Sequence, residues 1–151
     1  NGGGKAVAGW DGGWGGRRDG MREQGVGQVI KGGNGVREEI LIWLGPAIGP
    51  EAFEVGDEVR QAFLDKAAQR HHDTFQQIDQ SFKPSSTIEE GGKKKWLADI
   101  YQLARVRLSG IGVEKFSGGN YCTYNDKERF YSYRREGKTG RMASLIWMEA
   151  E

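Results

Sequence analysis

From position 40 onward, apolar residues recur in two rhythms. Ile40-Leu41-Ile42-Trp43-Leu44 is an unbroken, β-branched apolar run, and its length predicts a strand covered on both faces. It stops at Gly45-Pro46, with Gly49-Pro50 close behind, and two Gly-Pro steps so near each other predict a rigid, extended turn. Between Glu54 and Ala68 the period lengthens to that of a helix. Val55, Val59 and Phe63 fall on one side, while Asp57, Glu58, Arg60, Gln61 and Asp65 face water. Residues 69–95 turn polar and carry Pro84, Gly91 and Gly92, which predicts a surface excursion, helical near Thr74–Phe82. Asp99 with Gln102 three positions on has the form of a helix cap. The helix it opens runs through Leu108, buries Tyr101, Ala104 and Leu108, and ends at Gly110 and Gly112. Three short strands are expected after it, at Glu114–Ser117, Arg129–Arg134 and Met142–Met148, with Glu136–Gly140 as a hairpin loop.

The first 35 residues follow neither rhythm. Fourteen of the 25 glycines lie there, in a chain of 151 residues whose glycine share is more than double the usual ~7%. Ala6-Val7-Ala8 reads as a short strand, and residues 17–31 as a weak helix with Met21, Val26, Val29 and Ile30 inward. Gly20, Gly25 and Gly27 each cost that helix roughly 1 kcal/mol against alanine. Gly32-Gly33-Asn34-Gly35 then breaks the chain. The expected organisation is a glycine-rich irregular segment at 1–35 and an α/β domain at 36–151.

Charge narrows the partners. Lys+Arg 22 against Asp+Glu 21 leaves a formal +1, without the basic excess of a nucleic-acid binder. No apolar run approaches the ~20 residues of a membrane span. The opening Asn1-Gly2-Gly3-Gly4-Lys5 has no apolar stretch of the kind a signal peptide needs. The single cysteine, Cys122, excludes an intrachain disulfide and fits a reducing compartment, the cytoplasm.

Recognisable chemistry is sparse. The only imidazoles are the adjacent His71 and His72, which point apart on any regular element and read as solvated surface residues. Cys122 reads as a small buried hydrophobe before it reads as a nucleophile. Gly25-Val26-Gly27-Gln28 lacks the third glycine of a dinucleotide loop, and Gly15-Gly16-Arg17-Arg18 is a single RGG-like step. Lys93-Lys94-Lys95 reads as a solvated edge, with phosphate binding as the alternative. Arg134, Arg135 and Arg141 are cations suited to phosphate or carboxylate; pairing with Asp126, Glu128 or Glu136 is the structural alternative.

Three blocks go further. They are Trp43-Leu44-Gly45-Pro46-Ala47-Ile48-Gly49-Pro50 with Phe53-Glu54-Val55-Gly56-Asp57-Glu58-Val59, then Leu97 to Arg105, then Cys122-Thr123-Tyr124, Phe130 to Arg135 and Thr139 to Trp147. In this order they resemble the YfiH family, also called polyphenol oxidase/laccase-domain or purine nucleoside phosphorylase-like proteins. The resemblance covers residues 38–148. It implies an α/β layered sandwich of mixed sheet and helices, and metal-dependent phosphorolysis of purine nucleosides (adenosine, inosine), with adenosine deamination as an added activity. It also implies a zinc site of two histidines and a cysteine, copper being the alternative metal. On this resemblance Gly45, Pro46, Ile48 and Gly49 form a pocket wall, Arg134 or Arg141 meets phosphate, and Glu54 is a supporting acid at a helix start.

The chain departs from the family where the metal ligands belong. The family's first histidine and its Ala-Asp-Cys motif lie in an N-terminal half this sequence lacks. Its His-Ala-Gly-Trp-Arg-Gly motif has Asp11-Gly12-Gly13-Trp14-Gly15-Gly16 as counterpart, so Asp11 stands at the histidine position. The expectation is therefore an inherited fold with an incomplete catalytic site. Two rivals to catalysis follow: a non-catalytic domain that self-associates or pairs with a complementary subunit, and laccase-like phenol oxidation.

Overall fold

The computed structural model describes residues 39–70, 72–88 and 91–147. In chain order these form β1 (Leu41–Leu44), β2 (Glu54–Gly56), α1 (Asp57–Arg70), α2 (His72–Gln80), β3 (Phe82–Ile88), β4 (Lys94–Ala98), α3 (Ile100–Ser109), β5 (Lys115–Gly118) and α4 (Tyr133–Glu136). The strands make two sheets. β1 pairs with β5 in parallel, and β2, β4 and β3 form an antiparallel sheet with β4 at its centre. The fold is thus mixed α/β, as the sequence leads one to expect. The expected strand Ala6–Ala8, the helix at 17–31, the glycine loop before residue 36, Asp11, His71 and Met148 lie outside the described residues.

The three-stranded sheet owes its place to one apolar cluster. Val55, Phe82 and Ala98 from the strands meet Phe63, Leu64 and Ala67 of α1, Ile78 of α2, and Leu103 and Val106 of α3. Phe63 and Phe82 pack with ring centroids 5.9 Å apart, within the range that favours tilted aromatic pairs. Asp99 caps α3 as expected, its carboxylate accepting the Gln102 N–H at 2.9 Å. Tyr101, Ala104 and Leu108 are buried on that helix, as their spacing indicates. A second, smaller cluster of Leu108 and Val113 underlies the β1–β5 pair, with Ile40, Ile42, Ile111 and Phe116 against it.

Several expectations are corrected. Among the described residues β1 is covered on one face only: Leu41 is 78% and Trp43 53% exposed, while Ile42 packs on the small cluster. The helix expected from Glu54 begins at Asp57, because Glu54–Gly56 pair with Leu97, Trp96 and Lys95 instead. Val55 is buried as a strand residue, and the apolar helical face is Phe63, Leu64 and Ala67, with Val59 half-buried beside them. The polar stretch at 69–95 holds α2, where a helix near Thr74–Phe82 was expected, but also β3 and the start of β4, and Phe82 opens β3 in place of ending the helix. Pro84 disguised β3. A proline is tolerated there because β3 is an edge strand, and the ladder is irregular between Pro84 and Ile88.

The expected strands Arg129–Arg134 and Met142–Met148 and the hairpin between them do not form among the described residues. Local side chains capture the backbone first. Asp126 accepts the Arg129 N–H at 3.2 Å, Ser132 accepts the Arg135 N–H at 3.3 Å, and Gly137 ends α4 at φ +71°. Residues 141–147 run exposed, with no strand partner among the described residues.

Candidate functional site

β1 feeds directly into the Gly45–Gly49 loop, and the parallel β1–β5 pairing decides what lies beside it. The pairing ends at Leu44 and Gly118, and the Gly119 N–H donates to the Leu44 carbonyl at 2.8 Å. The chain after β5 therefore runs alongside the loop. Ala47 bridges Cys122, the Thr123 N–H donates to the Ala47 carbonyl at 3.0 Å, and the Gly49 N–H donates to Cys122 Sγ at 3.2 Å. Glycine at 49 permits this approach. A Cβ there would lie 3.0 Å from the cysteine Cβ and 3.2 Å from its sulfur. Cys122 is thus half-buried and engaged: its sulfur also faces the Asn125 N–H at 3.5 Å. With Asn125, Asp126, Lys127 and Glu128 it lines an open cleft of about 380 Å³.

At its far end the loop turns into β2, the Gly49 carbonyl accepting the N–H groups of Ala52 and Phe53 at 3.1 Å each. Arg134 meets it there. Its Nη1 donates to the Glu54 carbonyl at 2.7 Å and its guanidinium lies 5.3 Å from the centre of the Phe53 ring. The structure thus brings Arg134 to Glu54 and Phe53, at the exit of the Gly45–Gly49 loop. Arg141 belongs to the exposed 141–147 segment, which passes the loop where Ser144 Oγ lies 3.6 Å from the place a Cβ on Gly45 would take.

Glu54 stands in β2, not at a helix start, and its side chain is engaged across the sheet. Ser85 Oγ donates to Oε2 at 2.5 Å and Lys95 Nζ lies 3.5 Å from Oε1. The Ser85 hydroxyl, then Thr87, and the Lys95 charge hold this carboxyl below its ordinary range, so it is ionised at neutral pH and no proton donor. The neighbouring Arg135 is wholly committed. It donates to the carbonyls of Thr123 at 2.8 Å, Tyr124 at 2.6 Å and Phe130 at 2.8 Å, and pairs with Glu136 at 2.9 Å. The structural alternative therefore holds for Arg135. Asp126 is drawn below its ordinary range by Arg129, and Glu136 by Thr139 and then Arg135.

Tyr101 escapes a reading for chemistry, since its spacing marks only a core position. Its hydroxyl accepts the Ala47 N–H at 2.7 Å and donates to the Tyr121 carbonyl at 2.8 Å. The available signal is a phenol in an otherwise apolar helical stripe, because a buried hydroxyl needs partners.

A zinc or copper centre needs three or more donors converging on one point. Among the described residues no group of three His, Cys, Asp or Glu is so placed, and the Cys122 sulfur already faces two backbone N–H groups. The described residues do not fit such a centre.

Comparison with known proteins places this geometry. The family model described as multi-copper polyphenol oxidoreductase laccase matches residues 2–149. A Haemophilus influenzae protein named purine nucleoside phosphorylase is 43% identical over 148 residues, 97% of this chain and 53% of its own length. The Escherichia coli purine nucleoside phosphorylase YfiH is 53% identical over 111 residues, 74% of this chain and 40% of its own. A crystal structure of a Neisseria meningitidis protein superposes with a TM-score of 0.72 at 37% identity, covering 91% of this chain and 50% of that one. The chain spans about half or less of these relatives. Carried by a family match over nearly all of its residues and by a shared fold, the chain belongs to the multi-copper polyphenol oxidoreductase laccase family that includes the YfiH proteins.

Proposed function

We propose that this chain carries one wall of the substrate site of a purine nucleoside phosphorylase. The observation that supports it best is the 43% identity, over 97% of the chain, to a protein of that name. In the reaction, a phosphate oxygen forms a bond to C1′ of the ribose as the C1′–N9 bond breaks. The purine leaves with the bonding electrons and takes up a proton, and ribose 1-phosphate remains. The contribution assigned to this chain is recognition. Gly45, Pro46, Ile48 and Gly49 present backbone to the nucleoside. Arg134 spends one N–H on Glu54 and keeps the rest of its five donors for phosphate, with Arg141 as a second cation. Glu54 ties β2 to Ser85 and Lys95 through its carboxylate and seats Arg134 through its backbone carbonyl. The metal of this reading, zinc with copper as alternative, draws on Asp11 and on donors outside the described residues, and no step above depends on it. Adenosine deamination is a finer form of the same reading, testable by ammonia release. A reducing, cytoplasmic setting fits the single cysteine.

The test is phosphate-dependent release of hypoxanthine from inosine by the purified chain. Arg134→Gln is expected to raise the KM for phosphate about tenfold, the size of one lost charge-assisted hydrogen bond, with a smaller change in the KM for inosine. Absence of base release at every phosphate and zinc concentration overturns the reading. A second reading has its own support. Leu145 at 82% and Trp147 at 71% exposure, like Leu41 and Trp43, leave apolar side chains exposed, as at surfaces that associate with a partner or a second copy. It predicts concentration-dependent oligomers without base release. The family's description keeps phenol oxidation as a third reading, with bound copper as its requirement.

A further inference from the structure

Tyr101 is 5% exposed, and its hydroxyl joins two segments far from it in sequence: Ala47, 54 positions away, and Tyr121, 20 positions away. A hydroxyl has one proton to give. The nearer acceptor is the Tyr121 carbonyl at 2.8 Å, and the Ala47 carbonyl at 3.3 Å is the alternative. The Ala47 N–H fills a lone pair of the same oxygen. Chain and helix come close enough only because residue 119 is glycine. It sits at φ +78°, and a Cβ there would lie 3.0 Å from Tyr101 Cδ1 and 2.7 Å from Arg105 Nη2. The ring is anchored on α3, whose Leu103 and Val106 belong to the main core and whose Leu108 belongs to the smaller one. The loop thus rests, through one oxygen atom, on a helix that packs into both apolar clusters. Burial pushes the phenol upward in pKa, so it remains a neutral donor at physiological pH.

We infer that the Tyr101 hydroxyl is a positioning residue, holding the Gly45–Gly49 wall against the Tyr121–Asn125 segment and so fixing where that backbone meets the nucleoside. This rests on the wall being part of the purine nucleoside site. Tyr101→Phe keeps the packed ring and removes only the oxygen.

Cys122 is the single cysteine of the chain, and its sulfur accepts the Gly49 N–H. Its alkylation by a maleimide therefore reports opening of this junction independently of turnover. In Tyr101→Phe, labelling in native buffer is expected to rise about tenfold, the size of one lost buried hydrogen bond. It should stay flat in low urea, as local opening requires. Ile78→Val, in the core under α2, controls for lost stability and should label at the wild-type rate in native buffer. Wild-type labelling of Tyr101→Phe, or an excess that grows with urea as global unfolding does, overturns the clamp. Inosine with phosphate should slow labelling of the wild type, and the variant should need about tenfold more inosine for the same protection. In the release assay, the variant's KM for inosine should rise with kcat changed less than about twofold, on the same single-bond argument; a fall in kcat at unchanged KM overturns the positioning role. Faster labelling of the variant with no protection by inosine at any concentration keeps the clamp and overturns the nucleoside reading, so the two failures are told apart.

Discussion

Two consecutive arginines do unrelated work. Arg135 spends its donors on three backbone carbonyls and Glu136, welding the 123–130 turn to α4. Arg134 spends one on the Glu54 carbonyl and stays exposed beside Phe53. The difference is geometric: adjacent positions on a short helix point about 100° apart. Glu54 is the residue where charge and stability are linked. Its folded-state pKa lies below its ordinary 4.5, chiefly through Ser85 and Thr87. The stability this supplies is fully present above the ordinary value and is lost as pH falls below it through the depressed folded value. In melting curves from pH 7 to pH 3, the difference in Tm between wild type and Glu54→Gln is expected to shrink below about pH 4.5. A difference that does not change with pH refutes the linkage.

Among the elements, α3 is the one whose start and stop the sequence announces. Asp99 starts α3 and Gly110 stops it, with the Gly110 N–H on the Val106 carbonyl at 3.1 Å. Asp99→Ala is expected to cost about 1 kcal/mol in urea unfolding, with unchanged m-value, because one N–H of the first turn loses its acceptor. A loss under a few tenths of that would mean solvent replaces the carboxylate without cost. Strands behave differently. β3 reads as coil because Pro84 and two serines interrupt it, yet β4 draws it in, since Phe82 and Ala98 are neighbours in the ladder and both bury in the core. Conversely, Arg129–Arg134 alternates like a strand but has no described strand to pair with, and Asp126 and Ser132 turn it into caps. Strand propensity without a partner has no ladder to satisfy its backbone.

Across the molecule, stability is unevenly spread. Among the described residues, nine buried side chains hold the α1, α2, α3 and β2–β4–β3 assembly, while two hold the β1–β5 pair that carries the candidate loop. A two-stranded pair with one exposed face should open well before the main core does. Amide exchange of Ile42 and Phe116 is expected to be at least about tenfold faster than that of Leu97 and Leu103. Equal protection would mean that the pair is covered on its Leu41–Trp43 face in solution. Such an arrangement suits a binding wall: a stiff base on α3, a softer ledge above it, and Tyr101 between them.

The sequence alone was enough for the Gly-Pro-bounded loop, the capped α3 and the family resemblance, all of which rest on neighbours within a few positions along the chain. The hold of Tyr101 on Ala47 and Tyr121, the commitment of Arg135 and the approach of Cys122 to Gly49 were decided by the tertiary structure. Apart from the reach of Arg135 to Phe130 and Glu136, these contacts join residues 11 to 73 positions apart. Local periodicity records which side chain faces inward, whereas the partner a buried hydroxyl or guanidinium finds depends on which distant backbone the packed core delivers to it.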